Sequence, residues 1–123
     1  MGRWVSTENW TRESLAWVAG ILEGEGCFGR SLNKKDQSWS YRITCDMTDE
    51  DVIRRLHSVL GAGTVQGPYW RSNSTKPIWR FAIQNWPGCY AVSAAVFPLM
   101  GDRRRERIRD MLAPKMGWNK GFV

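Results

Sequence analysis

Two glutamates, Glu23 and Glu25, close the stretch ILEGEGCF, each followed by a glycine, where the residue spacing predicts the end of a helix. A helix C-terminus carries partial negative charge, so a carboxylate placed there is disfavoured by roughly 0.3–1 kcal/mol unless a cation comes to meet it. These residues therefore call for something positive. Other candidate machinery is thin. His57 is the only histidine and lies on a different helical pattern away from the acids, so a histidine general base lacks support. Gly61-Ala62-Gly63 follows a helix rather than a strand and reads as a turn, not a phosphate loop. Cys27, Cys45 and Cys89 are far apart and lack CxxC-type pairing, so they read as small core or strand residues rather than zinc ligands or disulfides.

The helix that must carry the acids is predicted over 13–24. Leu15, Val18, Ala19 and Leu22 form its core-facing stripe, and Asn9 or Thr11 could cap its start. Ala16, Gly20 and Gly24 recur every four residues and leave a second face nearly bare. Glycine inside a helix costs up to about 1 kcal/mol against alanine, so two on one face imply that another backbone approaches closely. That backbone belongs either to a second molecule or to this chain's own sheet.

After Gly26 the period changes. Strands are predicted over 27–32 and 39–47 around the polar turn Asn33-Lys34-Lys35-Asp36, with Tyr41, Ile43 and Cys45 alternating with Ser40, Arg42 and Thr44. Thr48 or Asp49 then caps a helix closed by Gly61, and a second strand pair follows over 64–71 and 77–84. A third helix starts after Asn85-Trp86-Pro87 and runs to about Phe97, before Pro98. Asp102 is placed to cap a last helix over 103–112. The order predicts an α+β fold, one antiparallel four-stranded sheet with helices on a single face. Arg42 and Arg80 fall on the uncovered face.

The chain has 123 residues and 42% hydrophobic content, the size of one domain spanning 1–123 with a single core. Its 18 Lys+Arg against 12 Asp+Glu leave a net charge of +6, which favours polyanionic partners. No run of about 18 apolar residues is present, and MGRWVSTENW lacks a signal peptide's apolar region, so no membrane segment and an intracellular location are expected. Matches to a myristoylation pattern at Gly2 to Ser6 and to glycosylation sequons at Asn9 and Asn73 have no second signal behind them. Most of the eight tryptophans, Trp17 and Trp79 among them, read as packing residues.

VAGILEGEG, residues 18–26, resembles the signature of the LAGLIDADG homing endonucleases, with Glu23 and Glu25 in place of two aspartates. The αββαββα order, the Gly61-Ala62-Gly63-Thr64-Val65 turn and the segment FPLMGDRRRERI extend the resemblance over about residues 13–112. It implies a site-specific endonuclease that cuts double-stranded DNA at a long, near-palindromic site. With a single motif, the chain would act as a homodimer whose signature helices cross at Ala16, Gly20 and Gly24. The resemblance puts Glu25, with Gly24 beside it, at the metal position, with Mg²⁺ as the only cofactor and no small molecule. Glu23 takes a supporting role in the catalytic centre.

By the same resemblance Arg103, or Arg104 if the alignment slips by one, stabilises transition-state charge. Many relatives carry a water-organising glutamine where Cys45 and Asp46 stand here, and some have a basic residue near Asp49. The sheet's open face would enter the major groove. Alternation then selects Gly29, Ser31, Arg42, Thr44, Gln66 and Arg80 as strand readers, with Asn33, Lys34, Lys35 and Ser38 from the first turn. Arg42 and Arg80 suit guanine, while Lys34, Lys35 and Arg71 suit phosphate. The alternative reading is an intron-encoded maturase or a binding relative that no longer cuts.

Overall fold

The computed structural model describes residues 7–117 of the 1–123 domain; Gly2 to Ser6, with their myristoylation match, lie outside them, as do residues 1 and 118–123. The order is α1 (Arg12–Glu25), β1 (Gly26–Asn33), β2 (Ser38–Met47), α2 (Glu50–Leu60), β3 (Thr64–Tyr69), β4 (Ile78–Ile83), α3 (Trp86–Val96), a short 3₁₀ turn (Phe97–Leu99) and α4 (Asp102–Met116). The sheet is antiparallel throughout, in the order β1-β2-β4-β3.

Register divides the sheet into two faces, because residues directly opposite each other on paired strands point the same way. Phe28, Ile43 and Ile83 form one row, and Gly26, Cys45, Phe81 and Val65 the next. These rows meet Val18 and Leu22 of α1, Ile53, Leu56 and Leu60 of α2, Val92 and Val96 of α3, and Ile108 and Met111 of α4 in one core. The helices thus share a face, as the alternation predicts.

Several boundaries move for identifiable reasons. Thr11, not Asn9, caps α1: its hydroxyl accepts from Ser14 N at 3.0 Å, and the Ser14 hydroxyl accepts from Thr11 N at 2.9 Å. Asp49 precedes α2 but makes no capping hydrogen bond. Strand β3 stops at Tyr69 rather than 71, after a register shift between Gln66 and Tyr69 where Pro68 has no N–H for the ladder. Asp102 lies inside α4 and Gly101 is its N-cap, with no side-chain cap bond and with the Gly101 N–H donating to Glu23 Oε1 of α1.

Helix α4 also continues past residue 112, through Pro114. Proline cannot donate to the carbonyl four residues back, that of Asp110. Arg30 of β1 supplies the missing donor: its Nε donates to Asp110 O at 2.7 Å, while its Nη2 donates to the side-chain Asp110 Oδ1 at 3.2 Å.

Trp10, Trp17, Trp79 and Trp86 pack against the core, with Arg55 over Trp17 at 4.1 Å and Arg54 over Trp79 at 5.2 Å. Trp39 and Trp70 are exposed instead. No helix among the described residues is long and apolar enough to cross a membrane.

Candidate functional site

The two glycines of the Glu-Gly-Glu-Gly run serve different ends. A Cβ on Gly26 would stand 2.7 Å from Leu22 O, so the chain can leave α1 along this path only without a side chain. At Gly24, and at Gly20 one turn earlier, a Cβ would meet nothing within 4 Å. Ala16, Gly20 and Gly24 are all exposed. The chain's own sheet therefore does not account for the bare face of α1.

The two acids differ as sharply. Glu23 Oε1 accepts from Gly101 N at 2.6 Å, which places its carboxylate at the N-terminus of α4, where the helix dipole favours an anion. Arg104, with only 16% of its side chain exposed, donates through Nε to Glu23 O at 2.9 Å, and the same Nε stands 4.0 Å from Glu23 Oε2. The last turn of α1 thus receives the cation its carbonyls need, from a residue 81 positions away. Glu25 is exposed, and among the described residues no hydrogen bond or ion pair engages it. Arg103 is likewise exposed and unpaired among them.

The open face carries the rows Ser31–Ser40, Gly29–Arg42, Cys27–Thr44–Ala82–Thr64 and Asp46–Arg80–Gln66. Ser31, Arg42, Thr44, Gln66 and Arg80 therefore stand on one surface, joined by Asp46. Arg42 lies flat across β1: its Nη1 donates to Ser31 Oγ at 2.9 Å, and a Cβ on Gly29 would come within 3.1 Å of its guanidinium. Gln66 Nε2 donates to Thr64 Oγ1 at 3.1 Å, and Tyr69 OH donates to Gln66 Oε1 at 3.4 Å.

Asp46 holds Arg80 through two hydrogen bonds, with Arg71 Nη2 3.8 Å away. The hydrogen bond from Arg80 keeps the Asp46 carboxyl below the ordinary aspartate range, outweighing partial burial, with the charges of Arg80 and Arg71 adding to the effect. Any stability this gives is fully present above the unfolded value near pH ~4 and is lost as pH falls through the lowered one.

In the first turn Asn33 Oδ1 accepts from Lys35 N at 2.9 Å, and the Ser38 hydroxyl donates to Asp36 Oδ1 at 2.6 Å. Asn33 and Ser38 shape that loop, while Lys34 and Lys35 are exposed. Cys45, next to Asp46, points into the core, where burial first and the nearby Glu25 and Asp46 charges second push its thiol up to about 12. Only Asp46 of this pair reaches the open face. Strand parity shared with Arg42 and Thr44 was the available signal for it; no local signal links Glu23 to Gly101 and Arg104.

The cysteines give a simple check. Cys27 is exposed on the open face, whereas Cys45 and Cys89 are buried, and burial pushes the Cys89 thiol up to about 12 as well. A thiol reagent near pH ~8 is expected to modify one cysteine per folded chain rapidly and all three only in denaturant, as counted by mass spectrometry.

No family model matches the sequence, and no curated protein matches it. Solved structures do match by shape. The homing endonuclease I-CvuI, in complex with the I-CreI target, superposes with a TM-score of 0.68 at 15% identity, covering 89% of this chain and 69% of that one. An archaeal intron-encoded homing endonuclease complexed with DNA gives 0.66 at 13% identity, covering 85% and 70%. The LAGLIDADG meganuclease I-AabMI bound to uncleaved DNA gives 0.64 at 16% identity, and there the chain spans 40% of the protein it matches. The chain therefore has the fold of the LAGLIDADG homing endonucleases.

Proposed function

We propose that the chain is a site-specific, metal-dependent DNA endonuclease that acts as a homodimer on a near-palindromic site. The observation that carries this reading is Glu25, an exposed carboxylate without a partner among the described residues, at the end of an uncovered Ala16-Gly20-Gly24 helix face beside an arginine-bearing sheet. The fold shared with DNA-bound homing endonucleases supports it.

Among the described residues no group of three or more His, Cys, Asp or Glu side chains could hold a metal ion. A hard divalent cation such as Mg²⁺ takes oxygen ligands, commonly one or two carboxylates together with substrate phosphates. Glu25 fits that donor set, and a second copy's Glu25, the peptide carbonyl of Gly24 and DNA phosphate oxygens would complete it. When bound, Mg²⁺ supplies polarisation of the scissile phosphate and a more acidic water.

The chain's own residues do the rest. Ala16, Gly20 and Gly24 let two α1 helices approach closely, so that both Glu25 carboxylates reach one DNA site. Glu23 and Arg104 hold the end of α1 against α4, and so fix where Glu25 stands. Arg103 offers an uncommitted positive charge for the phosphorane-like transition state. Arg42, Arg80, Ser31, Thr44 and Gln66 face the bases. Asn33 and Ser38 set the loop that brings Lys34 and Lys35 to phosphates, and Arg71 serves similarly.

The test is selection of cut ends from a randomised DNA library in Mg²⁺ and in EDTA, with sedimentation of the protein alone and on the recovered site. Cutting at one recurring near-palindromic sequence, in Mg²⁺ only and with two chains per site, is expected. Binding to recovered sites without cutting, or cutting by single chains, would overturn the proposal.

A further inference from the structure

One arginine of the open face has its direction set before any partner arrives. Arg80 Nε donates to Asp46 Oδ1 at 2.7 Å and Arg80 Nη2 donates to Asp46 Oδ2 at 2.8 Å, a side-on fork across the β2–β4 pair. A guanidinium has five N–H donors, and this fork uses two. The remaining three include one on each Nη that point together from the far end of the group. Two parallel donors at that spacing match the O6 and N7 acceptors of guanine in the major groove; adenine places a donor at the first of these positions.

Charge separates this arginine from its neighbours. Asp46 bonds Arg80 at 2.7 and 2.8 Å and stands 3.8 Å from Arg71, so it offsets the charge of Arg80 more than that of Arg71 and leaves Arg80 the poorer phosphate clamp of the two, because phosphate affinity depends on net positive charge. Among the described residues Arg42 has only the neutral Ser31 hydroxyl as partner. Gln66, directly opposite Arg80 on β3, is itself held by Thr64 and Tyr69, so the far side of Arg80 is also ordered. A free, long side chain would have to be immobilised on binding; here two of its donors are already fixed.

We propose that Asp46 is a specificity-determining positioning residue: by gripping Arg80 side-on, it presents the guanidinium end to one guanine in each half of the DNA site. This rests on the DNA-binding reading above and deepens it. Asp46 need not touch the base.

The experiment is selection of bound, uncut sequences from randomised DNA in Ca²⁺ at one fixed salt concentration, using the full chain. Wild type, Asp46→Ala, the isosteric Asp46→Asn and Arg80→Ala are compared, each checked for folding by thermal melting. Wild type is expected to enrich guanine at one pair of symmetry-related positions. Arg80→Ala is expected to abolish that preference. Asp46→Ala, and to a lesser degree Asp46→Asn, should reduce it about tenfold at that pair alone, with non-specific DNA binding unchanged or tighter. A clear wild-type site preference that survives Asp46→Ala, or falls evenly at all positions, overturns this proposal and leaves the endonuclease reading standing. A wild type that enriches no sequence overturns both.

Discussion

Glu25→Gln is expected to bind the selected DNA site as wild type does and to cut it about a thousandfold more slowly. The two properties separate because they draw on different parts of the molecule. Binding draws on the open face, where Arg42, Arg80 and the basic residues of the first turn stand clear of α1. Cutting needs the Glu25 carboxylate, which has no partner among the described residues. The amide keeps the size of the side chain but removes the negative charge that would hold a divalent cation, and with it several kcal/mol of stabilisation at the transition state. Glu23→Gln is the control. Its carboxylate accepts from Gly101 and lies near Arg104, so its loss should lower the melting temperature and affect cutting less. Gel-shift binding and single-turnover cleavage on the same DNA measure both variants. Equal loss of binding and cutting in Glu25→Gln, or undiminished cutting, would remove Glu25 from the centre of the mechanism.

Substitutions on the bare face of α1 are expected to act with opposite signs on the chain and on its assembly. Gly20 has ordinary helical geometry and open space where a Cβ would go. Gly20→Ala should therefore raise the stability of the isolated chain by about 0.5–1 kcal/mol, since alanine gives up less backbone freedom on folding. Larger residues tell the other half. Gly20→Leu and Gly24→Leu should leave each chain folded but hold two α1 helices apart, so that sedimentation finds single chains and double-strand cutting is lost. If the leucine variants associate and cut like wild type, the helices do not cross there. If instead Gly20→Ala destabilises the single chain, something within the chain occupies the space, and the open face of α1 needs another explanation.

Much of this architecture is legible in the sequence. Each strand and α-helix follows from a local periodicity: the 3.6-residue stripe of Val18, Ala19 and Leu22, of which Leu15 proves only half-buried, the alternation of Tyr41, Ile43 and Cys45 with Arg42 and Thr44, and turn residues at the joins. Such patterns arise because each element must bury one face, and burial is dictated by neighbours in the chain. The parity of the strands likewise places Arg42, Thr44, Gln66 and Arg80 on one surface. The bare helix face was visible as Ala16, Gly20 and Gly24, although spacing alone left open whether the chain's own sheet covered it.

Tertiary structure decided the partners. That Glu23 is held by Gly101 and Arg104 while Glu25 has no partner among the described residues could not be read from two glutamates a residue apart, because the groups that distinguish them lie 78 and 81 positions further along the chain. Arg30 sustaining α4 through Pro114, and Asp46 gripping Arg80, are pairings of the same kind. A hydrogen bond depends on position to within tenths of an ångström, whereas periodicity specifies only which side of an element a residue faces. Sequence by itself therefore determined the elements, their faces and where the acids lie, and only the folded chain decided which charges are already satisfied and which wait for a partner.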